Sequence, residues 1–373
     1  MRYYIIAGEA SGDLHGGNLI KAIHTQDAGA DIRCWGGDNM EAAGATLVKH
    51  YRELAFMGFV EVISHLGEIF RNIEFCKKDI LAFRPDVLVL IDYPGFNLRI
   101  AGWARKQGLR VAYYISPQVW AWKEKRVEKI RCYVDKMLVI LPFEKDFYKK
   151  WDYEVTYVGH PLIEVVNDEK NRAPGKPFSD KPIIALLPGS RAQEIKVKLP
   201  IMLRMAEYFP DYCFAIAQAP SLPNSLYKEI MGGKQAILVK GQTYNLLKQA
   251  KAALVTSGTA TLETALFGVP QVVCYKGSAV SFWLATKLVK VKYISLVNLI
   301  MDKPVVTELI QSDLTEAKLK AALTRLLYDE GYKKELKQDY ETLWHKLGDS
   351  FASGNAAKEI VELAGHGNNI LRK

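Results

Sequence analysis

Gly8-Glu9-Ala10-Ser11-Gly12-Asp13 follows directly on the apolar run Tyr3 to Ala7, and Ser257-Gly258-Thr259-Ala260-Thr261-Leu262-Glu263 follows directly on Ala252 to Thr256. In each, small residues stand where a buried strand hands over to a helix. Such a junction exposes backbone N–H groups and the positive end of a helix dipole, an arrangement that suits anions. One turn of this kind is common. Two, in separate halves of a 373-residue chain, predict an α/β protein with two Rossmann-like domains facing each other across a cleft.

The flanking sequence carries the same signal. Val87 to Ile91, Arg110 to Ile115 and Lys136 to Leu141 are short, largely apolar and β-branched. Runs of that kind suit strands of a parallel sheet covered on both faces. Phe59 to Phe83 and Asn97 to Gln107 read as helices between them. The polar segment 167–181, with Pro174, Gly175 and Pro177, reads as a linker. The alternation then restarts with Ile183 to Leu187, Tyr212 to Ala217, Ala236 to Val239, Ala252 to Thr256 and Gln271 to Tyr275. The expected division is an N-terminal domain over 1–166, a second domain over 182–345 and a C-terminal helix over 346–373 that returns to the first domain.

Composition narrows the function classes. The chain is 24% charged and 49% hydrophobic, as an ordinary folded protein is. Its five cysteines form no Cys-x-x-Cys pair, which argues against a zinc site or a disulfide framework. A strand begins at once after Met1-Arg2, with no leader pattern and no apolar run of membrane-spanning length, so a cytoplasmic protein is expected. The net charge is +9, and between Arg99 and Lys150 there are 13 Lys/Arg against 5 Asp/Glu. That excess suits phosphate or an anionic lipid surface. No nucleic-acid partner is expected, because no recognised module accompanies it.

In doubly wound sheets ligands sit at the C-terminal ends of the strands, so residues just after strands are the candidates. Asp92 ends Val87 to Ile91 and is placed to take a proton from a bound hydroxyl. The bland alternative is a turn or capping role. Glu9 and Asp13 are further acids in the first turn, with Gly8, Ser11 and Gly12 around them. That turn lacks the G-x-G-x-x-G spacing, which favours a sugar or lipid-phosphate ligand over a dinucleotide. Gly189, Ser190 and Arg191 follow Ile183 to Leu187, where guanidinium and free N–H groups converge on a diphosphate. The alternative for Arg191 is a surface ion pair with Glu194. Ser257, Gly258, Thr259, Ala260 and Thr261 form the second turn, and Glu263 can accept both hydroxyls of a ribose. Absence of an Asp-x-Asp pair makes a metal-bridged diphosphate unexpected, and leaves the leaving-group charge to Arg191 and the helix dipole. Trp120 and Trp122 stand beside Lys123, Lys125 and Arg126, a mixture suited to a membrane interface. Phe56 and Met57 lie in a similarly apolar stretch that could receive acyl chains.

These segments, together with Leu141-Pro142-Phe143-Glu144, Val158-Gly159-His160-Pro161 and Asn298-Leu299-Ile300, resemble the lipid-A-disaccharide synthase family of GT-B-type glycosyltransferases along most of the chain. Ser116-Pro117-Gln118-Val119-Trp120-Ala121-Trp122 is the most specific of them. The resemblance implies that UDP-2,3-diacylglucosamine donates its sugar to 2,3-diacylglucosamine 1-phosphate, without a cofactor or metal. It further implies a peripheral protein of the inner membrane, with room for a homo-oligomer. It ties Asp92, Arg191 and Asn298 to activity, with Asp92 as base and Asn298 on the UDP-sugar side. Where the family leads one to expect a glycine-bearing loop after Asn298-Leu299-Ile300, this chain has Met301-Asp302-Lys303-Pro304. Two rival readings are another UDP-sugar transferase or epimerase of the same fold, and a non-catalytic anion- or membrane-binding protein.

Overall fold

The computed structural model describes residues 1–54, 66–173, 175–277, 291–348 and 351–365. The chain divides into two compact units, Met1–Pro161 with Asp349–Lys373, and Leu162–Gly348. The helix Pro161–Asn171 takes up the first residues of the segment read as a linker.

The first unit is built on a seven-stranded sheet in the order β3-β2-β1-β4-β5-β6-β7. Its strands are β1 (Arg2–Ala7), β2 (Asp31–Gly36), β3 (Thr46–His50), β4 (Val87–Ile91), β5 (Val111–Tyr114), β6 (Lys136–Val139) and β7 (Thr156–Tyr157), all parallel. Strand side chains alternate between faces. Tyr4, Ile6, Leu88, Leu90, Tyr113 and Val139 enter one core layer. Tyr3, Ile5, Ala7, Val89, Ile91, Tyr114 and Leu138 enter the other. Both layers are apolar because helices cover both faces. The helix Ala10–Gln26 and the last helix, Ala352–Gly365, pack together on the second face, where the last helix buries Ala356, Ala357, Ile360 and Ala364.

The second unit holds a six-stranded parallel sheet in the order β10-β9-β8-β11-β12-β13. Its strands are β8 (Ile183–Leu187), β9 (Cys213–Gln218), β10 (Ile237–Lys240), β11 (Ala250–Thr256), β12 (Gln271–Tyr275) and β13 (Thr307–Ile310). Ile183, Ala185, Leu187, Ala215, Val239, Ala253 and Val255 form one core layer.

Both sheets carry the doubly wound order, in which the winding reverses beside the first strand. In the first unit that switch point lies between β1 and β4. In the second it lies between β8 and β11. Ligands of such sheets bind just beyond the strand ends there.

Candidate active site

The switch point of the first unit brings Glu9 and Asp92 together, because β1 and β4 pair in register with Ala7 opposite Ile91. Asp92 and Tyr93 both adopt left-handed backbone, at φ 43° and 48°. That conformation is costly for a residue with a Cβ and persists only where its surroundings hold it. The holding groups are visible. Asn97 Nδ2 donates to the carbonyls of Ile91 at 3.1 Å and Asp92 at 2.8 Å, and Tyr113 hydroxyl donates to the Asp92 carbonyl at 2.5 Å. On the neighbouring strand end Ile115 sits at φ 64°, a strained position for a β-branched residue.

Burial, and then the negative charge of Glu9, push the Asp92 carboxyl up to about 6. A carboxyl titrating there is ionised at neutral pH and still basic enough to take a proton. Glu9 is the N-cap residue of Ala10–Gln26 and is exposed. Gly8 is required by contact: a Cβ there would lie 2.3 Å from Cδ1 of the Tyr93 ring. Ser11 is exposed in the helix's first turn, and Gly12 lies against Ala7.

Asp13, expected beside a ligand, has a different task. Its buried carboxylate accepts from Gly37 N at 2.7 Å, Asn39 Nδ2 at 2.7 Å, Asn39 N at 3.2 Å and Met40 N at 3.1 Å. It caps the short helix Asp38–Ala42 from outside. The two tryptophans also separate. Trp120 packs edge-on against Phe143, with ring centroids 5.0 Å apart. Trp122 is 46% exposed and carries Lys123 Nζ 4.0 Å and the Arg126 guanidinium 5.6 Å from its ring. Phe56 and Met57 lie outside the described residues.

At the second switch point, β8 ends in Gly189-Ser190-Arg191 and β11 in Ser257-Gly258. Gly189 has φ 116°, and a Cβ on it would lie 2.4 Å from Glu194 Oε2, so only glycine fits. Arg191 is the N-cap of the helix Ala192–Tyr208, with its side chain 71% exposed. Its nearest carboxylate is Glu194, at 3.7 Å. That contact is too long and too solvated to hold the guanidinium firmly. Glu194 also lies 3.8 Å from Lys198, a lysine only 2% exposed, whose burial lowers its pKa.

Gly258, at φ 148°, is the N-cap of the helix Thr259–Leu266. Thr259 is exposed at its start and Ala260 half-buried. The hydroxyls of Ser257 and Thr261 are already used: Ser257 Oγ donates to Ile294 O at 2.8 Å and Thr261 Oγ1 to Gly258 O at 2.8 Å. These residues offer a ligand their backbone. Glu263 accepts from the Tyr244 hydroxyl at 2.9 Å, and burial raises its pKa.

Asn298 departs from expectation. It lies in the helix Leu296–Met301 and is 1% exposed. Its Nδ2 donates to Val306 O and Glu308 Oε1, both at 2.9 Å, and its Oδ1 accepts from Val306 N at 2.9 Å. The amide is consumed inside the unit and does not present itself to a substrate.

Lys198 and Glu308 escaped the sequence reading. Lys198 had a signal, since Arg191, Glu194 and Lys198 recur at helical spacing on one face. Glu308 had none, because its partners lie ten or more residues away.

Two parallel sheets in doubly wound order, each with a glycine turn at its switch point, define a GT-B-type α/β protein. Solved structures agree on the fold. A UDP-GlcNAc 2-epimerase from Neisseria meningitidis, determined with UDP-GlcNAc, superposes with TM-score 0.64 at 12% identity, covering 97% of this chain and 99% of that one. The glycotransferase of kitacinnamycin gives TM-score 0.65 at 13% identity, covering 97% and 99%. An epimerase and a transferase on one architecture show that the fold alone does not choose the reaction. The family does: a family model described as Lipid-A-disaccharide synthetase matches residues 3–361. The lipid-A-disaccharide synthase of Syntrophus aciditrophicus is 40% identical over 371 residues, 96% of this chain and 97% of that protein. That of Nitrosococcus oceani is 38% identical over 369 residues, 96% and 94% of the two chains. The chain belongs to the lipid-A-disaccharide synthetase family.

Proposed function

We propose that the chain is an inverting hexosyltransferase that joins UDP-2,3-diacylglucosamine to 2,3-diacylglucosamine 1-phosphate. The products are the β-1,6-linked disaccharide 1-phosphate and UDP. The observation that carries the reading is the Glu9–Asp92 pair at the first unit's switch point, with Asp92 held at about 6. Asp92 takes the proton of the acceptor's 6-hydroxyl as that oxygen bonds to the donor's anomeric carbon. The bond from that carbon to the diphosphate breaks, and its electron pair leaves with UDP. Glu9 keeps Asp92 basic by its charge.

The second unit holds the nucleotide in this reading. Arg191 and the N–H groups around Gly189 and Gly258 face the diphosphate, and Glu263 faces the ribose. An exposed guanidinium can turn onto phosphate without first breaking a strong ion pair. The Trp122–Lys123–Arg126 cluster of the first unit receives the acceptor's phosphate or the lipid headgroups around it. Among the described residues no helix is long and apolar enough to cross a membrane. Contact with the inner membrane would therefore be peripheral for these residues.

The test is incubation with both acylated substrates, followed by mass detection of a disaccharide phosphate. An epimerase would instead return a monosaccharide of unchanged mass. Replacing Asp92 by Ala should lower turnover by roughly 10²–10⁴-fold while UDP affinity stays. Near-normal turnover would remove Asp92 as the base.

A further inference from the structure

Asn298 poses a question, since the family resemblance ties it to activity while its side chain is sealed inside the protein. The hydrogen bonds around it answer it. Glu308, on β13, is the hub. Its Oε1 accepts from Ser295 N at 2.9 Å, Ser295 Oγ at 2.7 Å and Asn298 Nδ2 at 2.9 Å. Its Oε2 accepts from Ile294 N at 3.1 Å. Ile294 is the residue whose carbonyl receives Ser257 Oγ. Ser295 in turn caps the helix Leu296–Met301 by accepting from Asn298 N at 3.3 Å. A continuous chain of bonds thus runs from Asn298 through Glu308 and Ile294 to Ser257, the residue before Gly258.

We propose that Glu308 is a positioning residue that holds the Ser257–Gly258 turn in the shape that receives a nucleoside diphosphate. This rests on the reading of the second unit as the nucleotide site. Four donors converge on one side chain, and only an ionised carboxylate, an acceptor at both oxygens, satisfies them all. Asn298 shares the task by tying the same segment to Val306. Ser257 contributes through its hydroxyl's grip on Ile294, and the turn contacts ligand through its backbone.

Glu308→Gln is the informative change. One end of the new amide can still accept at the Oε1 position, but the other places an N–H₂ against the Ile294 N–H. Two donors then face each other. UDP affinity by isothermal titration should fall about tenfold and the donor KM rise in step, with the acceptor KM unchanged and the melting temperature nearly kept. In a Ser257→Ala background the same change should add little, because both act through Ile294. Unaltered UDP affinity, or a fully additive double variant, overturns the proposal. Should Glu308→Gln not fold, Ser295→Ala removes one arm of the network and is read in the same way. If the unsubstituted chain does not bind UDP, or Gly258→Val binds it equally well, the nucleotide reading falls and the proposal falls with it. If Gly258→Val loses UDP while Glu308→Gln keeps it, the proposal alone is overturned.

Discussion

Asp92 carries opposite demands from stability and activity. Its carboxyl is pushed up to about 6 by burial and by Glu9, so the native state binds a proton that the unfolded chain has already lost. Stability at this position is therefore full below about pH 4 and is lost as pH rises through about 6. Asp92→Asn removes that penalty and supplies a residue tolerant of the left-handed backbone. The variant should gain on the order of 2 kcal/mol near neutral pH by urea unfolding, and nothing in acid. Turnover has the reverse slope. With Asp92 as base, kcat/KM should fall with acidification below about 6, about tenfold per pH unit. A flat profile there would contradict the assignment. The position of Asp92 at a strand end is legible from the apolar run before it. The partners of Asp13 and Asn298 are not legible in sequence, because nothing local reveals them. Asp13 serves Gly37 to Met40, and Asn298 serves Val306 and Glu308. A polar side chain in a promising turn looks the same in sequence whether it meets substrate or its own fold.

Strands that are apolar runs are legible in the sequence, whereas β2 and β13 are not. β1, β4, β8 and β11 are nearly unbroken apolar runs, as a central parallel strand must be. β2 carries Arg33, whose charge is met by Asp79 at 2.8 Å, and β13 carries Glu308 at the hub described above. Those charges broke the pattern that a reader of sequence follows. The helix Leu296–Met301 leaves no signature in sequence because its apolar residues are too few to show a helical period. Asp302 adopts φ 51° at the C-cap, a conformation that helices usually assign to glycine. Asp302 bears a strain there that a glycine would not. Asp302→Gly should therefore stabilise the second unit by about 1 kcal/mol in urea titration, while a β-branched Asp302→Val should destabilise it. No change in either variant would mean that the turn is not held in this form.

At the scale of the molecule, the second unit is an insertion in the first. The chain leaves the first unit at Pro161 and re-enters it at Asp349, and the returning segment supplies the helix Ala352–Gly365. The restart of strand–helix alternation at Ile183 is the sequence signal for a second unit. Sequence periodicity cannot say which face of the first sheet the terminal helix covers, because an alanine-rich stripe fits many apolar faces. Here Ala356, Ala357, Ile360 and Ala364 close one layer of the first sheet, against the same side chains that lead into β1 and β4. The strand ends before Glu9 and Asp92 thus rest on residues of the last helix. Ile360 is fully buried, and truncation to Ala should cost about 2–5 kcal/mol. That loss should fall on the first unit. Thermal unfolding of Ile360→Ala should show an early transition that takes glycosyl transfer with it, while UDP added to the protein still raises the later transition of the second unit. A single transition lowered as a whole, with UDP protection lost at the same temperature, would show that the two units do not unfold separately.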